Sequence, residues 1–233
     1  MSSDPNQQKQ YAADRAATYV QSGMVIGLGT GATATLFVRR LAERLAQGEL
    51  TNIVGIPTSS QIESEAKRLN FPLTTLEDQP QIDLTVDGAD EVDPHLNLIK
   101  GGGGALLREK IVAQASKREV IIVDEAKLSP VLGTKWHVPI EVIPFGWRTQ
   151  AAYLTHLGAK VILRAGKEGS PFVTDQGNYI LDSHFGQIGD PAALAKTLNQ
   201  RVGIVEHGLF VNLAQEVIVG TDQGVRILTL AST

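Results

Sequence analysis

Short apolar segments alternate with amphipathic ones along the first half of the chain, and this alternation constrains the fold most. The apolar segments are continuous and rich in β-branched residues, as in strands that are covered on both faces. Strands alternating with helices predict βαβ units and a parallel sheet. The predicted strands are Met24–Leu28, Asn52–Ile56, Ile82–Val86, Leu96–Ile99 and Glu119–Val123, and the predicted helices are Pro5–Gln21, Ala34–Ala46, Gln61–Leu69 and Ala105–Ser116.

The pattern changes near residue 133, where prolines interrupt the chain. Further strands are predicted within 136–144, 159–165 and 172–182, with helices at 146–157 and 190–199. Their β-α-β-β-α-β order indicates a small split βαβ, ferredoxin-like unit. We therefore predict an α/β fold with a Rossmann-like, mostly parallel sheet flanked by helices (1–132 plus 208–233) and a smaller α+β domain (133–207).

Composition excludes several classes of protein. A net charge of -4 and 5% aromatic residues argue against a nucleic-acid partner. The absence of cysteine excludes disulfides and thiol nucleophiles, and no apolar run is long enough to cross a bilayer. The five histidines are scattered, which argues against a metal site. We expect a cytoplasmic protein without a membrane or nucleic-acid partner.

Each predicted strand in the first half is followed by a polar loop. In parallel strands these loops would share the carboxyl edge of the sheet, where open α/β sheets bind ligands. The loops are GTGAT (Gly29–Thr33), TSSQ (Thr58–Gln61), DGADEVD (Asp87–Asp93), KGGGG (Lys100–Gly104) and DEAK (Asp124–Lys127).

The GTGAT loop opens a helix, so its backbone N–H groups can bind an anion. A dinucleotide site would need an acid after the second strand, but Ser59 and Ser60 stand there and suit a phosphate better. In DGADEVD, Asp87 directly follows an apolar strand, and two acids there could hydrogen-bond sugar hydroxyls and move protons during ring opening. The alternatives are a tight turn without a ligand and a solvated acidic turn.

The KGGGG loop brings backbone N–H groups close to a ligand because glycine has no Cβ. Leading into a helix, it can bind an anion or an oxyanion, and Lys100 adds positive charge. Glu109, in the helix that follows, is a candidate general base. The alternative is a flexible hinge beside a charged helix surface.

Taken together, GLGTGATA, TSSQ, DGADEVD, KGGGGALLREK and DEAK resemble the type A ribose-5-phosphate isomerase family over nearly the whole chain. The resemblance implies interconversion of D-ribose 5-phosphate and D-ribulose 5-phosphate in the non-oxidative pentose phosphate pathway. It also implies a metal-independent cis-enediolate proton transfer, no cofactor, and a homodimer or homotetramer.

The resemblance also implies residue roles. Glu109 would be the general base, with Asp87, Asp90 and Lys100 around the sugar. Ala32 stands where the family commonly has serine, so one side-chain contact is lost while backbone contacts remain. The other substrate contacts would be Thr30, Gly31, Ala32, Thr33, Ser59, Ser60, Gly88, Ala89, Gly101, Gly102, Gly103 and Lys127.

Three other functions remain open at this point. A sugar-phosphate sensor would bind without turnover and would need no base. An amino-sugar-phosphate isomerase/deaminase would need a larger pocket for a hexose. A nicotinamide dehydrogenase is the most distant alternative and is tested by cofactor titration.

Overall fold

The computed structural model describes residues 4–166 and 169–230, which form two compact units. The first unit contains residues 4–89, 108–127 and 212–230, and the second contains 90–107, 128–166 and 169–211. Within the described residues, no helix has the length and apolar character needed to span a membrane.

The first unit is built on a six-stranded sheet. All neighbouring pairs are parallel except the last two strands of the chain, which form an antiparallel hairpin at one edge. The strands are β1 (Val25–Leu28), β2 (Val54–Pro57), β3 (Leu84–Asp87), β6 (Glu119–Asp124), β12 (Glu216–Thr221) and β13 (Gly224–Thr229), in the order β13-β12-β6-β3-β1-β2. The predicted parallel sheet is confirmed.

The helices beside this sheet begin and end close to the predicted residues. Asp4 caps α1 (Pro5–Ala17) by accepting a hydrogen bond from the Asn6 N–H group. The second helix, α2 (Ala32–Ala46), buries Ala34, Phe37, Val38 and Leu41 at helical spacing, so one face joins the core. The remaining two helices are α3 (Ser60–Arg68) and α4 (Leu106–Gln114).

The second unit contains an antiparallel four-stranded sheet and two helices. The strands are β7 (Val138–Val142), β8 (Lys160–Leu163), β9 (Tyr179–His184) and β10 (Ile204–His207), in the order β10-β7-β9-β8. Helices α5 (Trp147–His156) and α6 (Pro191–Asn199) complete the predicted β-α-β-β-α-β order. Only the second part of the predicted strand 172–182 is a strand, which begins at residue 179. Residues 175–177 form a turn, and residues 172–174 before it have no regular secondary structure.

One strand was predicted in the wrong sheet. Residues 96–99 contain only the two-residue strand β5 (Leu98–Ile99), which lies in the second unit between β4 (Glu91–Val92) and β11 (Leu209–Phe210). Both pairings are antiparallel. The connection from β4 to β5 is too short for the crossover that a parallel pair needs. The Asp93 carboxylate closes this connection by accepting hydrogen bonds from the His95 and Asn97 N–H groups.

The compact units differ from the predicted domains in their membership. Residues 90–107, 128–132 and 208–211 fall in the predicted first domain, but they belong to the second unit. The hydrogen bonds of β5 to β11 and the bridge between Val92 and Leu128 account for this grouping. The domain boundaries themselves stay a prediction, which limited proteolysis would test.

Candidate active site

Four of the five polar loops follow parallel strands of the first unit. The loops at 29–33, 58–61, 87–89 and 124–127 come at the ends of β1, β2, β3 and β6. Because these strands run in the same direction, their loops share the carboxyl edge of one sheet. The KGGGG loop follows the antiparallel strand β5 in the second unit, so the prediction of a single edge for all five loops is wrong.

Asp87 is the last residue of β3 and is fully buried. Its Oδ1 atom accepts hydrogen bonds from the N–H groups of Thr30 at 3.0 Å and Gly88 at 2.7 Å. A Cβ atom on Gly29 would lie only 2.3 Å from the same oxygen. The GTGAT loop therefore needs glycine at position 29 so that the buried carboxylate fits against the backbone.

Three hydroxyl groups cluster beside Asp87 in the first unit. The Thr30 Oγ1 atom lies 2.8 Å from both the Thr58 and the Ser59 hydroxyl oxygens. Ser59 also caps α3 by accepting a hydrogen bond from the Ile62 N–H group. Thr58 was not among the predicted site residues, although its position directly after β2 was a signal. Ser60 is exposed in the first turn of α3.

The start of α2 offers backbone donors. Gly31 is the N-cap residue, and no side chain caps this end of the helix. The N–H groups in the first turn of an α-helix have no partner within the helix, and the helix dipole favours an anion beside them. Ala32 is exposed and Thr33 is half-buried at this end. This arrangement can bind a phosphate without the serine side chain common in the family loop.

Lys100 and the glycine loop lie in the second unit. The Lys100 side chain is buried, and its Nζ atom lies 5.4 Å from the centre of the Phe210 ring. Its backbone N–H group donates to the Gly208 carbonyl oxygen at 2.8 Å. The Gly102 N–H group donates to Asp90 Oδ2 at 2.7 Å, so one oxygen of that half-buried carboxylate holds the loop. Gly102 and Gly103 are exposed.

The four carboxylates of DGADEVD divide into two groups. Glu91 is fully buried and accepts hydrogen bonds from the backbone N–H groups of residues 133–136, at 2.9 to 3.1 Å. Asp93 binds the backbone of its own turn. Both therefore stabilise the second unit locally. Asp87 and Asp90 are left as the candidates for chemistry, and the sequence alone could not separate the two groups.

Glu109 lies in the first turn of α4 with 5% of its surface exposed. Lys127 is half-buried at the end of a short 3-10 helix, Glu125–Lys127. Gly88 and Ala89 are half-buried after β3. In the part of the chain that the structure describes, no group of three or more His, Asp or Glu side chains is arranged to hold a metal ion.

Comparison with known proteins decides the family. Residues 54–224 match the family model described as ribose 5-phosphate isomerase A (phosphoriboisomerase A). The chain belongs to the ribose 5-phosphate isomerase A family. The match includes Asp87, Asp90, Lys100 and Glu109 and confirms the resemblance of the motifs.

Relatives in the ribose 5-phosphate isomerase A family are similar over nearly their full length. The ribose-5-phosphate isomerase A of Chloroflexus aurantiacus is 56% identical, over 95% of this chain and 92% of its own. That of Desulfatibacillum aliphaticivorans is 50% identical, over 96% and 97%.

Solved structures of the family share the fold. A D-ribose-5-phosphate isomerase in complex with phospho-erythronic acid has a TM-score of 0.95 at 44% identity, covering 97% of this chain and 99% of its own. The Plasmodium falciparum enzyme has a TM-score of 0.93 at 41% identity, covering 97% and 100%. These similarities confirm the predicted α/β fold class.

Proposed function

We propose that the protein interconverts D-ribose 5-phosphate and D-ribulose 5-phosphate in the non-oxidative pentose phosphate pathway. The observation that carries this proposal is the full-length similarity to enzymes named for the reaction. The motifs TSSQ, DGADEVD, KGGGGALLREK and DEAK lie within the matched residues 54–224. The protein is therefore an enzyme of the aldose–ketose isomerase class.

In the proposed mechanism, Glu109 is the base that acts on the open-chain sugar. Its carboxylate removes the proton from C2 of the aldose, and the C–H electron pair forms the C1–C2 double bond of a cis-enediolate. The carbonyl electrons move onto the C1 oxygen. Glu109 then returns the proton to C1 while the hydroxyl proton on the C2 oxygen is transferred to the C1 oxygen, so that C2 becomes the ketone and C1 the hydroxymethyl group of ribulose 5-phosphate. The burial of Glu109 limits competition from water for this proton.

Lys100 and the glycine loop would stabilise the charge of the enediolate. The buried Lys100 ammonium group would supply positive charge, and the Gly103 N–H group of the glycine loop would supply a hydrogen bond, since the Gly102 N–H group donates to Asp90. Donors that are fixed before the reaction stabilise a developing oxyanion strongly in a site that excludes water. These groups act more strongly on the enediolate than on the neutral carbonyl, so they lower the barrier rather than only binding substrate.

The carboxylates Asp87 and Asp90 would open the sugar ring by exchanging protons with its hydroxyl and ring oxygens. Each already uses one oxygen to accept backbone hydrogen bonds, which fixes the orientation of the group. Ala89 and Gly88 lie between them in the chain and would contact the same part of the sugar. Fixed acid–base groups of this kind contribute about 10² to 10⁴ in rate.

The phosphate would be held by the loops of the first unit. Donors would come from the backbone of Gly31–Thr33 at the start of α2, from Ser59 and Ser60 at the start of α3, and from Lys127, while the Thr30 N–H group donates to Asp87. The uncapped N-terminus of α2 favours a doubly charged anion. Binding energy at this remote phosphate would orient the reacting carbons for proton transfer.

A solved relative supports the kind of ligand expected here. That D-ribose-5-phosphate isomerase was determined in complex with phospho-erythronic acid. We propose that the same compound inhibits this protein competitively. Its planar, negatively charged carboxylate resembles the two oxygens of the enediolate, while its phosphate matches that of the substrate.

The setting of the reaction is also part of the proposal. The family resemblance favours a cytoplasmic homodimer or homotetramer that uses no metal or organic cofactor and binds neither nucleic acid nor membrane. A sedimentation experiment on the purified protein would establish the number of subunits.

Turnover of ribose 5-phosphate by the purified protein in excess chelator tests the proposed function. We expect ribulose 5-phosphate to form at the same rate with and without chelator. Activity that disappears with chelator and returns with added metal would indicate a hydride shift instead. Binding without turnover would favour the sensor, and preference for an amino-hexose phosphate would favour the deaminase.

A further inference from the structure

Arg164, which follows β8 in the second unit, contacts the backbone of the glycine loop. Its Nη1 atom donates hydrogen bonds to the carbonyl oxygens of Gly101 at 2.9 Å and Gly102 at 3.1 Å. We infer that Arg164 is a positioning residue, which fixes the peptide planes of the loop so that the Gly102 N–H group donates to Asp90 and the Gly103 N–H group faces the substrate. The inference rests on the proposed role of the loop's N–H groups in stabilising the enediolate.

The geometry of the peptide bond fixes the direction of the N–H groups in this loop. A trans peptide is planar, and its C=O and N–H bonds point in opposite directions. No cis peptide bond occurs among the described residues. The carbonyls that Arg164 holds belong to the peptides whose N–H groups are those of Gly102 and Gly103. Both N–H groups are thereby turned away from the guanidinium group.

The position of Asp90 agrees with this orientation. The Gly102 N–H group donates to Asp90 Oδ2 at 2.7 Å, while the carbonyl of the same peptide, on Gly101, accepts from Arg164. The peptide group between Gly101 and Gly102 is thus held at its C=O and its N–H end by charged side chains. The second peptide is held by Arg164 at its carbonyl end, and its N–H group belongs to the exposed Gly103. This N–H group is the one best placed to meet a ligand.

A glycine loop depends more than other loops on side-chain hydrogen bonds that fix its backbone. Gly101 has a φ of 98°, a conformation that glycine adopts readily and other residues rarely do. The same freedom leaves the loop many conformations, and each would point the N–H groups differently. An arginine can hold two carbonyls and a carboxylate together because its guanidinium group carries five donors in a rigid plane.

Arg164 is itself held firmly. It forms a two-point ion pair with Asp182 on β9, with Nε–Oδ2 at 3.0 Å and Nη2–Oδ1 at 2.5 Å. The His137 Nε2 atom lies 2.9 Å from the same Oδ1 atom. Burial raises the pKa of Asp182, but hydrogen bonds from His137 and Arg164 outweigh it and keep that pKa below its ordinary value. The carboxylate therefore stays charged and anchors the arginine.

The positive charge has a second consequence. A cation bound to a carbonyl oxygen polarises the whole peptide group, which makes its N–H group a stronger donor. The Arg164 side chain is only 13% exposed, so water screens its charge weakly. Arg164 would thus strengthen the loop's binding of an oxyanion without touching the substrate.

The test compares Arg164→Met with Arg201→Met in steady-state kinetics. Arg201 lies in the same unit, where it donates a hydrogen bond to Gln150 and stacks on the Tyr153 ring instead of holding the carbonyls of the glycine loop. We expect Arg164→Met to lower kcat by roughly 10- to 100-fold with a much smaller change in KM, because the loop acts mainly on the developing charge. Arg201→Met should keep the wild-type kcat.

Two further measurements separate positioning from a loss of folding. Methylguanidinium at millimolar concentration should restore part of the kcat of Arg164→Ala and leave Arg201→Ala unchanged. Arg164→Lys should fall between wild type and Arg164→Met, since one ammonium group cannot hold both carbonyls and Asp182. If Arg164→Met unfolds, Arg164→Lys and the rescue experiment still decide the matter.

The outcomes distinguish this inference from the proposed function. If wild type isomerises ribose 5-phosphate and Glu109→Gln does not, but Arg164→Met matches Arg201→Met, only the inference about Arg164 is overturned. If wild type is inactive, or Glu109→Gln is as active as wild type, the proposed function itself fails.

Discussion

The two units hold their proposed substrate loops by different means. In the first unit, the loops extend from the carboxyl ends of parallel strands, and the topology of the sheet alone brings them to one edge. In the second unit, the glycine loop follows a two-residue antiparallel strand. Half-buried charged side chains, including Arg164 and Asp90, hold its backbone there. Two glycine-containing loops that both follow apolar strands in the sequence can therefore be held in place by quite different interactions.

The largest expected effect tests the first unit. Gly29→Ala would place a Cβ atom 2.5 Å from the Asp87 Cα atom, and backbone cannot move aside cheaply. We expect kcat/KM to fall on the order of 10²-fold, because a shift of about 1 Å in a catalytic group costs that much. We also expect the free energy of unfolding to fall by about 1–3 kcal/mol.

Gly189→Ala is the control for that substitution, since a Cβ atom there meets no heavy atom within 4 Å. Steady-state kinetics and urea unfolding would be measured on both variants. Wild-type kinetics in Gly29→Ala would contradict the view that close packing of this loop places Asp87.

An intermediate effect is expected in the second unit from Glu91→Gln. The amide nitrogen of glutamine would face two of the four backbone N–H groups that the carboxylate now accepts. Buried donors without an acceptor should lower the free energy of unfolding by roughly 2–3 kcal/mol. Urea unfolding measures this, with Glu125→Gln as the control because that side chain is 46% exposed. Equal stability of the two variants would show that Glu91 does not support the second unit.

The smallest effect concerns pH. Burial raises the pKa of Glu141 in the second unit, although Thr174 and Asn178 donate hydrogen bonds to Oε1. The folded state therefore keeps a proton on Glu141 at pH values where the unfolded chain has lost it. Stability should fall as the pH rises from the ordinary glutamate pKa to the raised one. Glu141→Gln should remove a slope of up to about 1.4 kcal/mol per pH unit in that window.

Glu65 in the first unit should change the stability with pH in the opposite direction to Glu141. Hydrogen bonds from Arg68 and Arg39 lower its pKa to about 2. Its contribution to stability is present above the ordinary glutamate pKa and is lost as the pH falls towards the lowered value. The effect should be small because these are surface ion pairs. The free energy of unfolding would be measured at several pH values. If its slope against pH were the same in Glu141→Gln and wild type, the raised pKa of Glu141 would be contradicted.

The sequence predicted the first unit better than the second, and the reason is physical. Strands such as Met24–Leu28 and Glu119–Val123 are continuous apolar runs, which only a sheet covered on both faces requires. Leu96–Ile99 has the same composition, but the direction of its pairing depends on the short turn before it. The roles of Glu91 and Arg164 depend on contacts with residues more than 40 positions away, which no local pattern reveals.

Parts of the candidate site could be predicted from the sequence where a short motif determines the local backbone geometry. Asp87 directly after the apolar residues of β3 and the glycines before α4 are of this kind. Thr58 was missed because a threonine after a strand is common and only the fold brings it beside Thr30. The predicted roles of Glu109, Asp87, Asp90 and Lys100 stay predictions that kinetics must test.

The central claim is that the buried Glu109 carboxylate moves the proton between C2 and C1. Its most direct test is steady-state kinetics of Glu109→Gln with ribose 5-phosphate, because glutamine keeps the shape of the side chain and removes its basicity. We predict that kcat falls by about two orders of magnitude or more while KM changes little. A variant that retains near-wild-type kcat would contradict the claim and remove Glu109 from the role of base.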